Sequence, residues 1–491
     1  MTKEIYFNIL EHLKTLIQGT EFEGCTYAVG GCVRDELMGC DNIKDIDLVI
    51  NLPQGGIKLA QWLEKNGHIA GTIVVYETYG TAMFRLAAFP DEEIECVQTR
   101  KEQYHDKQSR NPETAYGTLI EDCMRRDLTI NALYRNISTG RIDDPCRHGT
   151  EDMRHKLLRV TSTPDIVYED DPLRILRAIR FYCRLGKEWY IDVPTYNGML
   201  SHASRLEIIT AERKQDELNK ILMSANPVEG LKMIRSIGAM KYLIPELQET
   251  YDMTQNDYHF GTVWEHTLKV VEETANIPVE LNSDDMLVLR VAALLHDIGK
   301  IRTRTVGEDG RVHFYKHELK GIRMVDTILR RLKYSNDFIK DVQFLTENHM
   351  LTKPWKDNLD GFKNENNLFR AIRKLQYKCV PESAGRDNRR RFNLLLDLIH
   401  ADNMSHAESH CLPNQVRNII MVSEHMEFDG TDMFGFRMPA DGDDVMRVKE
   451  LKPGPDVRKY LDYMMKQCFV NPKITKEELL KKIANLKVDK I

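Results

Sequence analysis

The sequence predicts an α+β architecture: a mixed head over residues 1–146, then a long all-α body. Two observations carry this. β-branched and aromatic runs cut by glycine crowd residues 25–100, as in CTYAVGG at 25–31. Beyond residue 146, apolar residues recur at three- and four-residue spacing almost to the end. The 491 residues, at about 150 per domain, also imply roughly three domains.

Taken in order, 3–18 is an amphipathic helix and 25–31 a strand ending in Gly30-Gly31. Residues 45–50 (DIDLVI) turn from alternating to fully apolar, as a strand entering a core does. A helix is expected over 56–67. Residues 71–77 and 81–87, with a Tyr-Gly between them, read as a hairpin, followed by a strand over 91–100 and a helix over 122–136. The body gives helical spacing over 166–185, 205–223, 227–240, 264–274, 286–300, 317–333, 337–349, 367–378 and 390–404. Loops are expected at 351–363 and 379–388, and turns through 428–456 before a closing helix at 456–468. No fixed-period repeat occurs.

Composition excludes several classes. The net charge is −6, with 69 Lys plus Arg against 75 Asp plus Glu, so this is no globally basic RNA-coating protein, although a local basic groove is compatible. The 42% hydrophobic content supports several cores and argues against long disorder. Ten scattered cysteines with no CxxC pair read as reduced thiols of a cytoplasmic protein. The N-terminal segment carries charges every few residues, unlike a signal peptide. Apolar runs such as VAALL at 291–295 fall far short of the about 20 residues that cross a bilayer, so no membrane partner is expected.

Three features of the head combine. Gly30 and Gly31 close a strand and precede Val33-Arg34-Asp35; glycines there let backbone N–H groups approach phosphate oxygens. Asp45 and Asp47 lie two apart on a strand and so face the same side, where a divalent cation relieves their repulsion. Glu95, mid-strand, is a third candidate carboxylate. Arg125 and Arg126, within EDCMRRDLTINA at 121–132, offer fork-like donors to a triphosphate. Each feature alone has a plain reading: a tight turn, a solvated strand start, a surface ion-pair network. A fourth, the row Arg174, Arg177, Arg180 and Arg184, lines one helical face, and by itself would be a solvated basic stripe.

Together, VGGCVRDELMG, KDIDLVI, RRDLTINAL and the DDPLRILRAIRF segment resemble the nucleotidyltransferase superfamily that includes DNA polymerase beta. More closely they resemble its class II tRNA nucleotidyltransferase and bacterial poly(A) polymerase branch, over about residues 1–250. The resemblance implies a polymerase-beta-like head at 1–146 and a helical neck at 147–255. It implies that an RNA 3′-hydroxyl attacks the α-phosphate of an NTP, with Mg²⁺ held by Asp45 and Asp47 as the catalytic acids, and Glu95 beside them. Gly30, Gly31, Arg34, Arg125 and Arg126 would orient the triphosphate. Asp171 and Arg174 match the family's base-reading EDxxR motif, with Arg177 and Arg180 beside them; Asp170 stands where that motif has Glu. Cytosine and adenine each present an amino donor beside a ring-nitrogen acceptor. A carboxylate and an arginine match that pair, and uracil and guanine reverse it.

The body holds a second set: His266 in WEHTLKVV, His296-Asp297 in VAALLHDIGK, His317, His349, and Asp402 in LIHADNMSHA. Their order resembles the HD-domain signature of metal-dependent phosphohydrolases, implying an HD domain at 256–405 that binds a divalent metal of unspecified identity. A helical tail completes the chain at 406–491. A basic stretch over 363–391, interleaved with Phe362, Phe369 and Tyr377, is either a tRNA-backbone contact or a helix-start charge run. The functional expectation is a tRNA nucleotidyltransferase adding or repairing the 3′-terminal CCA from CTP and ATP. The alternatives are a poly(A) polymerase of the same branch, an HD-type phosphohydrolase with a relic head, and a non-catalytic RNA-binding protein.

Overall fold

The structure, a computed structural model, describes residues 1–77, 80–103, 113–256, 259, 261–277, 281–379 and 389–487. The 379–388 loop expectation falls almost entirely outside them, as does much of 100–117. The chain separates into two compact units, Met1–Pro245 and Glu246–Ile491. Among the described residues no helix is long and apolar enough to cross a membrane.

The first unit opens with the helix Lys3–Ile17, whose Thr2 cap accepts from the Ile5 amide. Its Tyr6, Ile9, Leu10, Leu13 and Ile17 are buried, the three- and four-residue spacing of one face. That face packs on a sheet built from β1 (Thr26–Val29), β2 (Ile46–Ile50), β3 (Val74–Tyr76), β4 (Thr81–Leu86), β5 (Phe89–Gln98), β8 (Tyr134–Asn136) and β9 (Ile142–Asp143). The strand order is β3-β4-β5-β2-β1-β8-β9; β2 and β5 run parallel and the other neighbours antiparallel. β6 (Arg100–Gln103) and β7 (Glu113–Tyr116) pair separately. The helix Gly55–Lys65 lies close enough to β5 that a Cβ at Gly56 would fall 2.6 Å from the Cys96 carbonyl oxygen.

Three expected helices are corrected, among them 205–223, which is a 3₁₀ helix over Ala203–Ile208 and an α-helix over Ala211–Leu222 with Ile209 extended between them. Residues 122–136 do not form one helix: it stops at Met124, a 3₁₀ turn covers Thr129–Asn131, and β8 follows. The carboxylate of Asp127 accepts from the Leu128 amide and from Asn131 Nδ2, a local alternative to helical bonding. The Thr129 amide then donates to the Arg159 carbonyl, and β8 completes the ladder of β1. The 166–185 helix is split into Pro164–Asp170 and Leu173–Leu185 at Pro172, which leaves Asp171 extended at φ −140°. The otherwise helical body of this unit also carries a short parallel pair, β10 (Leu157–Leu158) with β11 (Tyr190–Ile191).

The second unit is helical apart from the hairpin β12 (Arg304–Val306) and β13 (Val312–Phe314). The helices Val263–Glu273, Ser283–Leu295, His317–Arg331, Asn336–Asn348, Glu365–Lys378 and Arg389–Met404 match the expected periods within a few residues. Residues 288–295 are buried all round, so the Ser283–Leu295 helix is central. The 428–456 segment, read as turns, contains the helix Gly442–Lys449, started by a capping box between Asp441 and Asp444. That helix packs with Pro455–Val470 and Lys476–Ala484 around a separate core. In the basic stretch, Arg373 donates to the carbonyls of Thr431 and Phe469, and Arg390 and Arg391 pair with Asp341, so these cations are engaged within the unit.

In the first unit, Gly230 lets the helix Pro227–Ser236 approach its neighbours. A Cβ there would sit 2.5 Å from Ile221 Cγ2 and 2.6 Å from Cys183 Sγ. Gly230→Val should therefore destabilise by about 1–3 kcal/mol through overpacking. Thermal melting followed by circular dichroism checks this, and an unchanged midpoint would refute the close approach.

Candidate functional site

The strand register assembles the head's acidic site. β2 places Asp47 beside Glu95 of β5 and opposite Val29 of β1. Asp45 lies just before the strand and is exposed. Gly30 ends β1 at φ 79°, and a Cβ on it would lie 3.5 Å from Asp47 Oδ2 and 3.7 Å from Arg126 Nη1. Glycine, carboxylate and guanidinium thus converge at one place, with the positive φ restricting that position to glycine. Burial and the nearby Glu95 and Asp45 carboxylates push Asp47 up to about 6, against the pull of Arg126. That is a surplus of negative charge of the kind a divalent cation neutralises, so the donor set fits a metal.

The remaining head residues turn toward protein partners. Gly31 opens the helix Gly31–Leu37, and Arg34 is buried. The Arg34 Nε and Nη2 donate to Asp35 Oδ1 at 2.8 and 2.6 Å, while Nη1 donates to Asn131 Oδ1 at 2.7 Å. Arg125 and Arg126 share Asp122, at 2.7 and 3.2 Å, and Arg126 also donates to the Tyr134 hydroxyl at 3.1 Å. The arginine row on Leu173–Leu185 is not a solvated stripe. Arg174 donates to the Val167 carbonyl at 3.2 Å, Arg177 reaches Asp127 at 2.6 Å, Arg180 reaches Glu217 at 3.3 Å, and Arg184 reaches Asp35 at 3.2 Å. Asp171 accepts from the Leu173 amide at 3.1 Å and from Arg213 at 2.8 Å. The sequence reading missed the seats of these arginines. Asp122, three and four residues before its partners, was readable as a helical pair. Asp35 with Arg184 spans 149 residues and left no local signal.

The histidine set closes into a buried cluster in the second unit. Asp297 Oδ2 lies 3.6 Å from His266 Nε2 and 3.2 Å from His296 Nε2, while Oδ1 lies 3.1 Å from His317 Nε2 and 3.8 Å from His349 Nε2. Asp402 Oδ1 lies 3.1 Å from His266 Nε2. The ligand atoms of His266, His296 and Asp402 fall within 4.8 Å of one another, as do those of Asp297, His317 and His349. Each ring commits Nδ1 to a backbone carbonyl: Ser405, Ala293, Phe314 and Thr346 respectively. Nδ1 therefore carries the proton in the neutral ring, and Nε2 presents a lone pair toward the carboxylates. Nε2 of His266 and of His296 has no hydrogen-bond partner. Lone pairs facing carboxylate oxygens repel unless a cation lies between them, so this donor set fits divalent metal, with Asp297 spanning both groups.

Burial pushes His349 down to about 3 and lowers His266, whereas the Asp297 carboxylate raises His296 despite burial. Against burial, Lys300 holds Asp297, and Lys353 holds Asp402, far below the usual carboxylate range. The lysines stand 2.6 Å from Asp297 Oδ2 and 2.8 Å from Asp402 Oδ2. Lys300 and Lys353 were missed in the sequence, as were His259 and His406, whose rings lie 4.5 and 5.8 Å from that of His266. Lys300 follows Asp297 by one helical turn and was visible in HDIGK; Lys353 comes from an irregular loop with no period to read.

Asp122 gives the head a titratable signature. It is fully buried, and against that burial Arg126, Arg125 and the Tyr134 hydroxyl bring it down from 3.8 to about 2. A carboxyl lowered in the folded state stabilises above its unfolded value and loses that contribution as pH falls through its folded one. The shift corresponds to about 2 kcal/mol. Urea unfolding between about pH 5 and pH 2 should show this loss in the wild type and a shallower slope in Asp122→Asn. That variant should also lose about 3 kcal/mol at neutral pH, because two arginines lose their shared counter-ion. Equal slopes would refute the assignment.

Comparison with known proteins places the chain. The family described as the poly A polymerase head domain matches residues 26–159. The probable RNA and SrmB-binding site of polymerase A matches 191–250, and the HD domain matches 263–405. A multifunctional CCA protein of Pseudomonas fluorescens is 32% identical over 326 residues, covering 63% of this chain and 71% of that protein. One from Neisseria gonorrhoeae is 29% identical over 388 residues, covering 74% and 85%. The fold is shared with a CCA-adding enzyme of Bacillus stearothermophilus solved with CTP, at TM-score 0.62 and 18% identity over 98% of this chain and 97% of that one. It is shared also with the Thermotoga maritima CCA-adding enzyme solved with tRNA, at TM-score 0.57 and 18% identity over 98% and 95%. By its identity to the Pseudomonas protein, and carrying a polymerase head followed by an HD domain, this chain belongs to the family of multifunctional CCA proteins.

Proposed function

We propose that the chain is a template-independent tRNA nucleotidyltransferase that adds or repairs the 3′-terminal CCA from CTP and ATP. The observation that carries it is the convergence of Gly30, Asp47 and Arg126, with Glu95 in register beside Asp47, in a member of the CCA protein family. Asp45 and Asp47 would hold Mg²⁺, which when bound supplies the charge that activates the RNA 3′-hydroxyl and steadies the departing pyrophosphate. Arg126 keeps one edge of its guanidinium on Asp122 and Tyr134 and directs Nη1 toward Gly30, where a phosphate oxygen is received. The Gly30-Gly31 backbone lets that oxygen approach closely.

Base choice rests with the side chains of Asp171, at the break before the Leu173–Leu185 helix, and Arg174, in its first turn. Asp171 accepts from the amino group shared by cytosine and adenine; Arg174 donates to the neighbouring ring nitrogen. Arg177 and Arg184 hold the helix by Asp127 and Asp35, which makes them positioning residues for the reader.

A second reading applies to the HD cluster. His266, His296, Asp297, His317, His349 and Asp402 would hold divalent metal, which would supply the positive charge for phosphoester hydrolysis at this site. It is favoured by the orphaned Nε2 atoms of His266 and His296 in a carboxylate-lined cluster.

Asp47→Ala should reduce incorporation of CMP into tRNA lacking CCA by at least about a thousandfold, an acid holding metal being worth several kcal/mol at the transition state. Metal content at the histidine cluster should be unchanged. Single-nucleotide extension of tRNAs ending before CCA, after C and after CC measures the first. Long A tails on generic RNA would instead identify a poly(A) polymerase. For the HD cluster, His296→Ala should lower divalent metal per chain in elemental analysis while CMP incorporation stays near wild type. Retained stoichiometry would refute the ligand set.

A further inference from the structure

The HD cluster forms the floor of a cleft of about 740 Å³, lined among others by Asp297, Lys300, Phe314, Tyr315, Lys353 and Trp355. That volume lies within the range of about 300–1,000 Å³ typical of ligand pockets and exceeds what a bare phosphate would fill. The floor offers anion chemistry: the putting together of metal-ligating atoms with the ammonium groups of Lys300 and Lys353, each within 2.8 Å of a carboxylate oxygen. The wall is different. Tyr315 is 71% exposed, its ring stacked on His313 at 5.2 Å and 12°, and Trp355 packs its edge against Phe362 at 5.4 Å. Phe314 ends β13 and Tyr315 follows it, while Trp355 comes from the irregular segment 351–363; all three line the cleft.

That segment is held firmly despite lacking regular structure. The buried Gln415 side chain donates to the carbonyls of Thr352 and Trp355, at 3.2 and 2.7 Å, and accepts from the Thr352 hydroxyl at 2.9 Å. Asp357 accepts from the amides of Asn414 and Gln415 at 2.8 and 3.0 Å. Lys353 and Trp355, two residues apart, are thus presented together: a cation for a phosphate and a flat ring for whatever the phosphate carries. None of these bonds involves the indole ring, so its removal leaves the segment's anchors in place.

We infer that Trp355 and Tyr315 are specificity-determining residues of the HD site. They select a phosphoester that bears a nucleobase over a bare phosphoester by stacking on the base, while Lys300 and Lys353 grip the phosphate. This rests on the hydrolytic reading above.

The test is isothermal titration of the full chain, carrying the metal it retains on purification, with adenosine 3′-monophosphate and with inorganic phosphate. Saturating CTP fills the head throughout. The wild type should bind the nucleotide at least about tenfold more tightly than phosphate, in line with one aromatic stacking contact. Trp355→Ala and Tyr315→Ala should each remove most of that advantage and leave phosphate binding within about twofold; Trp355→Phe should restore most of it. Lys353→Met should weaken both probes alike. Equal wild-type affinity for the two probes, nucleotide binding unaffected by both alanine variants, or equal weakening of both probes by them would overturn the inference while leaving the hydrolytic reading intact. If the wild type binds neither probe, the hydrolytic reading falls, and the inference with it.

Discussion

A carboxylate removed from water must find cations or hydrogen-bond donors, and in the first unit Asp127 meets that demand by joining three distant segments. Its Oδ1 accepts from Leu128 and Asn131, and its Oδ2 from Arg177. Asn131 in turn accepts from Arg34, Arg34 pairs with Asp35, and Asp35 with Arg184. The chain of contacts links the glycine turn, the RRDLTIN segment and the Leu173–Leu185 helix. Burial pushes Asp127 up, and Arg177, Asn131 and the Leu128 amide together more than offset it, so its carboxyl lies far below the usual range. Removing any one cation would leave a charge in a poorly solvated place, which is why the network holds its geometry.

The same constraint is met differently in the second unit. Asp297 and Asp402 face four imidazole nitrogens and two lysines. Lys300 and Lys353 pair with Oδ2 of Asp297 and of Asp402, yet Asp297 Oδ2 also faces Nε2 of His266 and His296, and Oδ1 of each carboxylate faces imidazole nitrogens alone. The first unit's network is satisfied by protein alone. The second leaves the Nε2 atoms of His266 and His296 without a protein partner, which fits the divalent metal proposed for it. That contrast separates a structural network from a ligand site by chemistry, without reference to motif names.

The head site combines both situations. Asp122 anchors Arg125 and Arg126 from beneath and is fully neutralised, whereas Asp47 is raised by neighbouring acids that Arg126 only partly offsets. One guanidinium therefore faces a settled carboxylate on one edge and an unsettled one near the other. Arg126 is thereby held in one orientation by Asp122 and Tyr134, and under the proposed function its Nη1 would meet the incoming anion already oriented, as electrostatic preorganisation requires.

Periodicity and motif order were legible in the chain, because the i, i+3, i+4 rhythm of the body and the spacing of Asp45 with Asp47 are local properties. They gave most helices within a few residues, and the histidine and aspartate set in its right order. Local rhythm failed at 122–136, where Asp127 bonds its own backbone and β1 recruits Tyr134–Asn136 as a neighbouring strand. It failed again over 442–449, where a short helix is stabilised by its cap and by packing on the last two helices. The arginine stripe was visible as a stripe, yet its meaning came from Asp127, Glu217 and Asp35, which no spacing connects to it. Which residues occur, and in what rhythm, is written along the chain. Which charges meet depends on long-range contacts, because burial turns a surface cation into a partner for one particular carboxylate.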